Sequence, residues 1–273
     1  MDPTAGFFGE LVANDRKLEL DYEFASADAG DSARQVRSVV AGFLERYAAF
    51  NKISRDAAIA SYSTTIRRYA GDIRAFIKTG RYPLELNPQP PLARTDYDLF
   101  LILTILATRH RCAIMEEICR HPANGRALVV GVGSGIELSF IQAPQGGDAY
   151  DLYINPYAHV AFPQWRFHEE LYRPGPQSYD VIYAIELLEH LVDPYAFMAD
   201  CHSSLGSRGR LVATIAVNVP QFDHTLNFPS EENFEARAAG LGLVVEHKRV
   251  IPHAYPRTDI GAKNVFYVFV RRD

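Results

Sequence analysis

The stretch ALVVGVGSGIELSF, residues 127–140, decides the fold class of this chain. Its apolar start predicts a buried strand over residues 127–130. The glycines at positions 131, 133 and 135 predict a tight turn, because glycine lacks a Cβ atom and lets a ligand approach the backbone amides. A helix is expected to start near Ile136. This order is typical of the first unit of an open α/β sheet, whose ligand crevice lies at the carboxyl ends of the strands.

Short apolar runs alternate with helical stretches after Gly125. This alternation predicts an α/β fold with a Rossmann-like, mainly parallel seven-stranded sheet flanked by helices. The expected strands are residues 127–130, 149–153, 165–168, 181–184, 210–216, 243–250 and 264–270.

The first third of the chain has a different texture, with apolar residues at helical spacing from Ser32 to about Arg120. One helix is expected from an N-cap at Ser54 to a stop at Gly80, and another from residue 95 or 96 as far as Cys119. Between them, the proline-rich segment at 81–91 cannot continue a helix. We therefore predict a helical N-terminal cap or substrate lid over residues 1–92 and the α/β domain over residues 93–273.

Composition narrows the class of partner. The net charge of −5 and the pI near 6.0 provide no long-range attraction to nucleic acid or to an anionic membrane. The apolar run at 99–107 is too short to span a bilayer, which needs about 20 residues. Cys112, Cys119 and Cys201 form neither a disulfide framework nor a zinc-finger spacing, and residues 1–10 do not resemble a signal peptide. We expect a cytoplasmic protein with a small-molecule substrate and no nucleic-acid or membrane partner, and leave a homodimer open.

The glycine turn also discriminates between cofactors. The dinucleotide motif G-x-G-x-x-G requires glycine where this chain has Ile136, which disfavours a nicotinamide oxidoreductase without removing it as an alternative. The run IELSF that follows the turn instead resembles the helix start of a class I methyltransferase.

Four further segments resemble that family in order, so that the resemblance covers residues 127–270, about half the chain. YDLYINPY at 150–157 resembles the second strand and its ribose-binding turn, and FHEEL at 167–171 resembles the end of the third strand. YDVIYAIELLEHLVDP at 179–194 is the most specific piece and matches the fourth strand with its following loop. GSRGRLVATIAVNVP at 206–220 resembles the fifth strand.

The resemblance to class I S-adenosylmethionine-dependent methyltransferases implies S-adenosyl-L-methionine as the cofactor. The residues implied to bind it are Gly131, Gly133, Ser134, Gly135, Tyr153, Asn155, Glu170, Leu171, Ile185 and Glu186. Glu169 is an alternative to Glu170. Arg109 or Arg111 is a candidate partner for the cofactor's carboxylate, with surface solvation as the alternative for either.

One position departs from the family pattern. Tyr153 stands where the family usually has a carboxylate for the ribose hydroxyls, and Asp151 lies two residues earlier, short of the expected strand tip. Tyr153 and Asn155 would then supply neutral hydrogen bonds, which are weaker than charge-assisted ones. An alternative is therefore a regulatory protein that binds S-adenosylmethionine but has lost the reaction.

Methyl transfer from a sulfonium is an in-line displacement, so the protein chiefly positions the reactants and removes a proton where one must leave. The candidate catalytic residues are Glu189 and His190 after the fourth strand and His224 after the fifth, where Asp223 can orient the imidazole. The alternatives are a structural hydrogen-bonding role for His190 and a packed loop for His224. Imidazole and carboxylate groups suit several divalent ions, so metal binding by His190, His224 and a carboxylate is an alternative. The spacing is too loose to identify a metal site, and none is expected. The acceptor is expected to be a small molecule with an oxygen, nitrogen or carbon nucleophile.

Overall fold

The central sheet has seven strands in the order β3-β2-β1-β4-β5-β7-β6. The computed structural model describes residues 4–83, 92–253 and 260–272. Within them the strands are β1 (Ala127–Val130), β2 (Gly147–Asp151), β3 (Trp165–Glu169), β4 (Tyr179–Ala184), β5 (Leu205–Val217), β6 (Leu243–Pro252) and β7 (Lys263–Arg271). The expectation of a seven-stranded α/β sheet flanked by helices is confirmed.

The sheet is mixed, which refines the prediction of a mainly parallel one. Strands β1 to β5 pair in parallel, whereas β7 runs antiparallel to both β5 and β6. Only residues 253–262 connect β6 to β7. A parallel pairing needs a crossover of about a dozen residues or more, so this short connection favours the antiparallel arrangement.

Helices cover the N-terminal region and both faces of the sheet. The described helices are α1 (Gly6–Asn14), α2 (Arg16–Ser26), α3 (Asp31–Phe50), α4 (Arg55–Thr79), α5 (Arg94–Ala107), α6 (Arg109–Arg120), α7 (Pro156–Ala161), α8 (Pro194–Ser204) and α9 (Glu231–Gly240). None of the helices in these parts of the chain is long and apolar enough to cross a membrane.

The predicted ends of α4 are confirmed. Ser54 Oγ accepts a hydrogen bond from the backbone N–H of Ala57, which satisfies one of the free amides of the first turn. At the other end Gly80 adopts a left-handed conformation, with φ of 67°, and closes the helix.

Two helix predictions are wrong. The expected helix from residue 95 to Cys119 breaks at Thr108, whose extended backbone and side-chain hydroxyl cap the start of α6. The expected helix at Ile136 is a single 3₁₀ turn, Ile136–Ser139. Sequence periodicity also gave no sign of α1 and α2, which precede the predicted helical region.

The N-terminal helices and the sheet share one hydrophobic core. Buried side chains of α3, such as Leu44, belong to the same cluster as Leu103 of α5 and Val129 of β1. A second cluster fills the opposite face of the sheet beneath α8 and α9. The predicted boundary at 92/93 stays a prediction, and most of the predicted proline-rich connector, residues 84–91, lies outside the described residues.

Candidate active site

The glycine turn after β1 is held by backbone conformations that favour glycine. Gly131, Gly133 and Gly135 have φ values of 84°, 46° and 83°. A Cβ on Gly131 would lie 3.2 Å from the side chain of Leu187, and one on Gly135 would lie 3.0 Å from the Cβ of Ala158. Gly133 has more room, because the nearest atom, Arg94 Nη2, would be 3.5 Å away. The turn is therefore tight at its ends and open at its centre.

Asp151 lies at the tip of β2, contrary to the expectation that it would fall short of it. The strand spans Gly147–Asp151, so both of its ends lie two positions earlier than predicted. One carboxylate oxygen accepts the backbone N–H of Gly133 at 2.8 Å, and the other accepts that of Tyr153 at 3.1 Å. Tyr153 lies beyond the strand, 37% exposed, with the Arg94 guanidinium 5.0 Å from its ring centre. A carboxylate is thus present at the second strand after all, and it braces the glycine turn.

A cavity of about 240 Å³ extends from the glycine turn to the N-terminal helices. Ten of the residues that the sequence nominates line it: Arg109, Arg111, Gly131, Gly133, Ser134, Ile185, Glu186, Glu189, His190 and His224. The structure therefore brings the catalytic candidates to the same chamber as part of the proposed cofactor site.

The other nominated residues lie elsewhere. Asn155 is 1% exposed and caps α7, and its amide donates to Tyr47 Oη at 2.8 Å and to Asp98 at 3.2 Å. Glu170 and Leu171 border a separate surface cavity of about 480 Å³. Gly135 shapes the turn without lining the main cavity. The roles assigned to these residues and to Tyr153 stay predictions.

Arg111 is the buried one of the two nominated arginines. Its side chain is 6% exposed, and Nη1 donates to Glu186 Oε2 at 3.1 Å. Its Nη2 lies 3.7 Å from Glu137 Oε1, and within the described residues neither Nε nor Nη2 has a hydrogen-bond partner. Arg109, by contrast, donates to the backbone carbonyls of Phe24 and Ala27. Arg111 lines the cavity and thus offers a ligand two donor nitrogens that form no hydrogen bond within the described residues.

Two carboxyl groups flank Arg111. Burial raises the pKa of Glu137 to about 7, although the arginine opposes that shift. Glu186 accepts hydrogen bonds from the Thr214 hydroxyl at 3.0 Å and the Asn264 amide at 2.7 Å, and its backbone has a φ of 51°. Glu186 is therefore held from three sides at the end of β4.

Glu189, His190 and His224 form a second polar cluster in the lining of the cavity. The 3₁₀ turn Leu188–His190 carries the first two, and the loop after β5 brings His224 against them, with the two imidazole centres 4.8 Å apart. Burial lowers the pKa of His224 to about 3, and burial with the neighbouring Glu186 raises the pKa of Glu189 well above its usual range. In the folded protein His224 is therefore neutral at physiological pH.

Apolar side chains of the N-terminal helices cover the chamber. Tyr62, Ile66, Tyr69 and Ile73 lie along one face of α4, and Phe100 and Leu101 of α5 continue the surface. Their spacing along α4 is the helical period that the sequence shows. Whether this stripe packs against protein or lines a chamber depends on tertiary structure.

Several residues of the chamber escaped sequence reasoning. Glu137 lies within residues 127–140, but its ion pair with Arg111 joins positions 26 residues apart. His253 and His110 also line the cavity, and their rings stack with centres 3.6 Å apart. No sequence spacing indicates that pair. Asp151 could have been placed from the sequence, because a five-residue strand that begins at Gly147 ends at Asp151.

Comparison with known proteins identifies the family. The family model described as "Methyltransferase domain" matches residues 104–248, more than half of the chain. The chain belongs to this methyltransferase family. It is an S-adenosylmethionine-dependent methyltransferase, because this family uses S-adenosylmethionine as its cofactor.

The methyltransferase site fits this cofactor. Gly133 leaves the backbone open to the cavity, which Gly131 also lines. Arg111 presents there two buried nitrogens that have no hydrogen-bond partner among the described residues. A glycine cradle and a cationic donor suit a ligand that carries a carboxylate beside its reactive sulfonium.

Solved structures show the same fold at low sequence identity. The pyocyanin biosynthetic protein PhzM matches with a TM-score of 0.51 and 15% identity, over 78% of this chain and 72% of its own. The O-methyltransferase NcsB1 from neocarzinostatin biosynthesis, solved with S-adenosylmethionine and 2-hydroxy-5-methyl naphthoic acid, matches with a TM-score of 0.50 and 17% identity, over 78% and 70%. The 1,6-didemethyltoxoflavin-N1-methyltransferase of Burkholderia thailandensis, solved with S-adenosylhomocysteine, matches with a TM-score of 0.47 and 17% identity, over 68% and 93%. No curated protein sequence matches the methyltransferase at a significant level.

Proposed function

We propose that this methyltransferase methylates a small, largely apolar acceptor that is enclosed between the glycine turn and the N-terminal helices. The observation that carries the proposal is one continuous cavity, which borders both Gly133 and the aromatic face of α4. Enclosed pockets lined by apolar side chains with a few polar groups are typical of small-molecule sites. The helices within residues 1–92 then act as the lid.

Residues at the ends of β1 and β4 hold the cofactor. Gly131, Gly133 and Ser134 provide the backbone cradle, Ile185 and Glu186 form its wall, and Arg111 pairs with the cofactor's carboxylate. The bound cofactor supplies the electrophilic methyl group on its sulfonium. The rest of the chain positions the acceptor and keeps water away from the reacting carbon.

Polar groups in the lining of the chamber contact the acceptor. We assign Glu189, His190 and His224 to contact its nucleophilic atom, because they line the same cavity as the glycine turn. The NcsB1 structure contains 2-hydroxy-5-methyl naphthoic acid, an aromatic hydroxy acid. For this chain we propose a hydroxylated or aminated aromatic compound as the acceptor.

A matched pair of substitutions on α4 tests the enclosure. Ile73 lines the cavity, whereas Ile77, one turn later, is 57% exposed. Ile73→Trp fills the chamber, so we expect it to lower methyl transfer to small phenols and aromatic amines by at least tenfold. Ile77→Trp places the same side chain in solvent and should leave transfer unchanged.

The assay measures transfer of labelled methyl from S-adenosylmethionine to a panel of small phenols and aromatic amines, with S-adenosylhomocysteine binding followed by calorimetry. Both variants should bind S-adenosylhomocysteine as the parent does, since Ile73 lies on the lid side of the chamber. Equal transfer by both variants, or transfer only to a protein or RNA substrate, would overturn the proposed function.

A further inference from the structure

The cluster of Glu189, His190 and His224 has the composition of a metal site. Each residue offers one ligand atom, and these atoms all lie within 4.8 Å of one another. Glu189 and His224 are buried, at 1% and 3% exposure. Among the described residues, Glu189 Oε2 and His224 Nδ1 have no hydrogen-bond partner. Buried polar atoms are normally hydrogen-bonded, so two such atoms without a partner in one cluster point to a ligand that both can bind.

His190 also has one ring nitrogen held by a backbone carbonyl. His190 Nδ1 lies 3.1 Å from the carbonyl oxygen of Asp223, which can only accept, so Nδ1 carries the proton and Nε2 the lone pair. Metal-ligating histidines almost always donate their other N–H to a carbonyl, carboxylate or water in this way. His224 Nδ1 has no hydrogen-bond partner in the described parts of the chain, so it can serve as the second imidazole ligand.

We propose that Glu189, His190 and His224 bind one divalent transition-metal ion, with Zn²⁺ as the probe, in the wall of the cavity. Two imidazoles and one carboxylate are a donor set that suits Zn²⁺ and related ions. Ligand atoms about 2.1 Å from a tetrahedral ion lie about 3.4 Å from one another. The ligand atoms of the three residues lie within 4.8 Å of one another, so side-chain rotations that shorten these distances by at most about 1.4 Å would bring them into that geometry. Three protein ligands leave the fourth position open to the chamber that all three residues line.

The open position gives the ion a role in acceptor binding. It can take the oxygen or nitrogen of the acceptor and orient that atom toward the glycine turn. This role rests on the proposed function, whereas binding of the ion by the three side chains does not.

A second cluster provides the matched control. Glu117, His121 and His247 also bring their ligand atoms within 4.8 Å of one another. There, however, the carboxylate already pairs with Arg120 and with Arg249, the latter at 2.6 Å. These two guanidiniums neutralise the carboxylate and repel a cation, so we expect no metal at this second cluster.

The experiment titrates the full-length, chelator-treated protein with ZnCl₂ by calorimetry, and with Co²⁺ by visible absorption. The parent and the double variant H121Q/H247Q should each bind one equivalent of Zn²⁺. In H190Q/H224Q the affinity should fall at least tenfold, and the Co²⁺ bands of a site with nitrogen ligands should vanish.

Glu189→Gln provides a nearly isosteric second variant and should also weaken Zn²⁺ binding at least tenfold. Absence of Zn²⁺ binding by the parent would overturn the metal site, as would equal affinity in the parent and in Glu189→Gln. A site lost only in H121Q/H247Q would overturn it too. S-adenosylhomocysteine titration of the same samples separates the two proposals, because retained cofactor binding without Zn²⁺ binding rejects the metal site alone.

Discussion

Replacing Gly133 by alanine separates the backbone requirement of the turn from its role in holding the cofactor. The residue has a φ of 46°, and a Cβ there would meet Arg94 Nη2 at 3.5 Å, an ordinary contact. Gly80, at the end of α4, has a φ of 67° and would place its Cβ in open space. The two substitutions therefore impose similar backbone strain, but only the first adds an atom at the wall of the cavity.

The stability cost follows from the backbone. A left-handed conformation costs an L-residue roughly 1–2 kcal/mol. The lower freedom of alanine in the unfolded chain returns about 0.4–1 kcal/mol. We therefore expect Gly133→Ala and Gly80→Ala each to lower the free energy of unfolding by about 1 kcal/mol, measured as a shift of the urea midpoint at unchanged m-value.

Cofactor binding should distinguish the two variants. Calorimetric titration with S-adenosylhomocysteine should show at least a tenfold weaker Kd for Gly133→Ala, equivalent to about 1.4 kcal/mol, and a parental Kd for Gly80→Ala. Parental affinity in Gly133→Ala would refute the assignment of the turn as the cofactor cradle. A loss of several kcal/mol of stability in Gly133→Ala alone would refute the argument that its Cβ finds room.

Three further outcomes follow from buried polar groups. Tyr47→Phe should lower the free energy of unfolding by about 1–3 kcal/mol in urea titrations, because its hydroxyl bonds a buried carboxylate of α5 and the amide that caps α7; an unchanged midpoint would contradict this. Burial lowers the pKa of His224 to about 3 and that of His253 to about 4 in the folded protein. Below pH 6.5 the unfolded chain therefore binds more protons than the folded one, and the free energy of unfolding decreases as the pH is lowered. Between pH 7 and pH 5.5, His253→Asn should lose about 1 kcal/mol less of its free energy of unfolding than the parent does, as measured from urea midpoints at the two pH values. An equal loss in the variant and the parent would rule out His253 as the origin. Arg111→Gln should weaken S-adenosylhomocysteine binding at least tenfold by calorimetry, whereas Arg109→Gln should not, and the reverse order would exclude Arg111 as the carboxylate partner.

The sequence alone was enough to predict those elements that depend on patterns among neighbouring residues. Short apolar runs located the strands, although β2 lies two positions earlier than predicted and β5 begins at Leu205 instead of residue 210. The glycine turn followed from residues that tolerate positive φ, and the ends of α4 from Ser54 and Gly80. Each of these signals acts through neighbouring residues, so it can be read without knowing what packs against the element. The family resemblance rested on the same local segments in order.

Tertiary structure decided where α5 ends and where the site residues meet. The apolar period continues across Thr108, so the break between α5 and α6 is invisible to periodicity. Arg111 pairs with Glu186, 75 residues away, and Glu189 joins His224 across the loop after β5. Such contacts depend on strand order and on which loops share an edge of the sheet. The sequence nominated both histidines and named a shared metal as an alternative, but the spacing could not show that they meet. The folded sheet brings them into one cluster by placing the ends of β4 and β5 side by side.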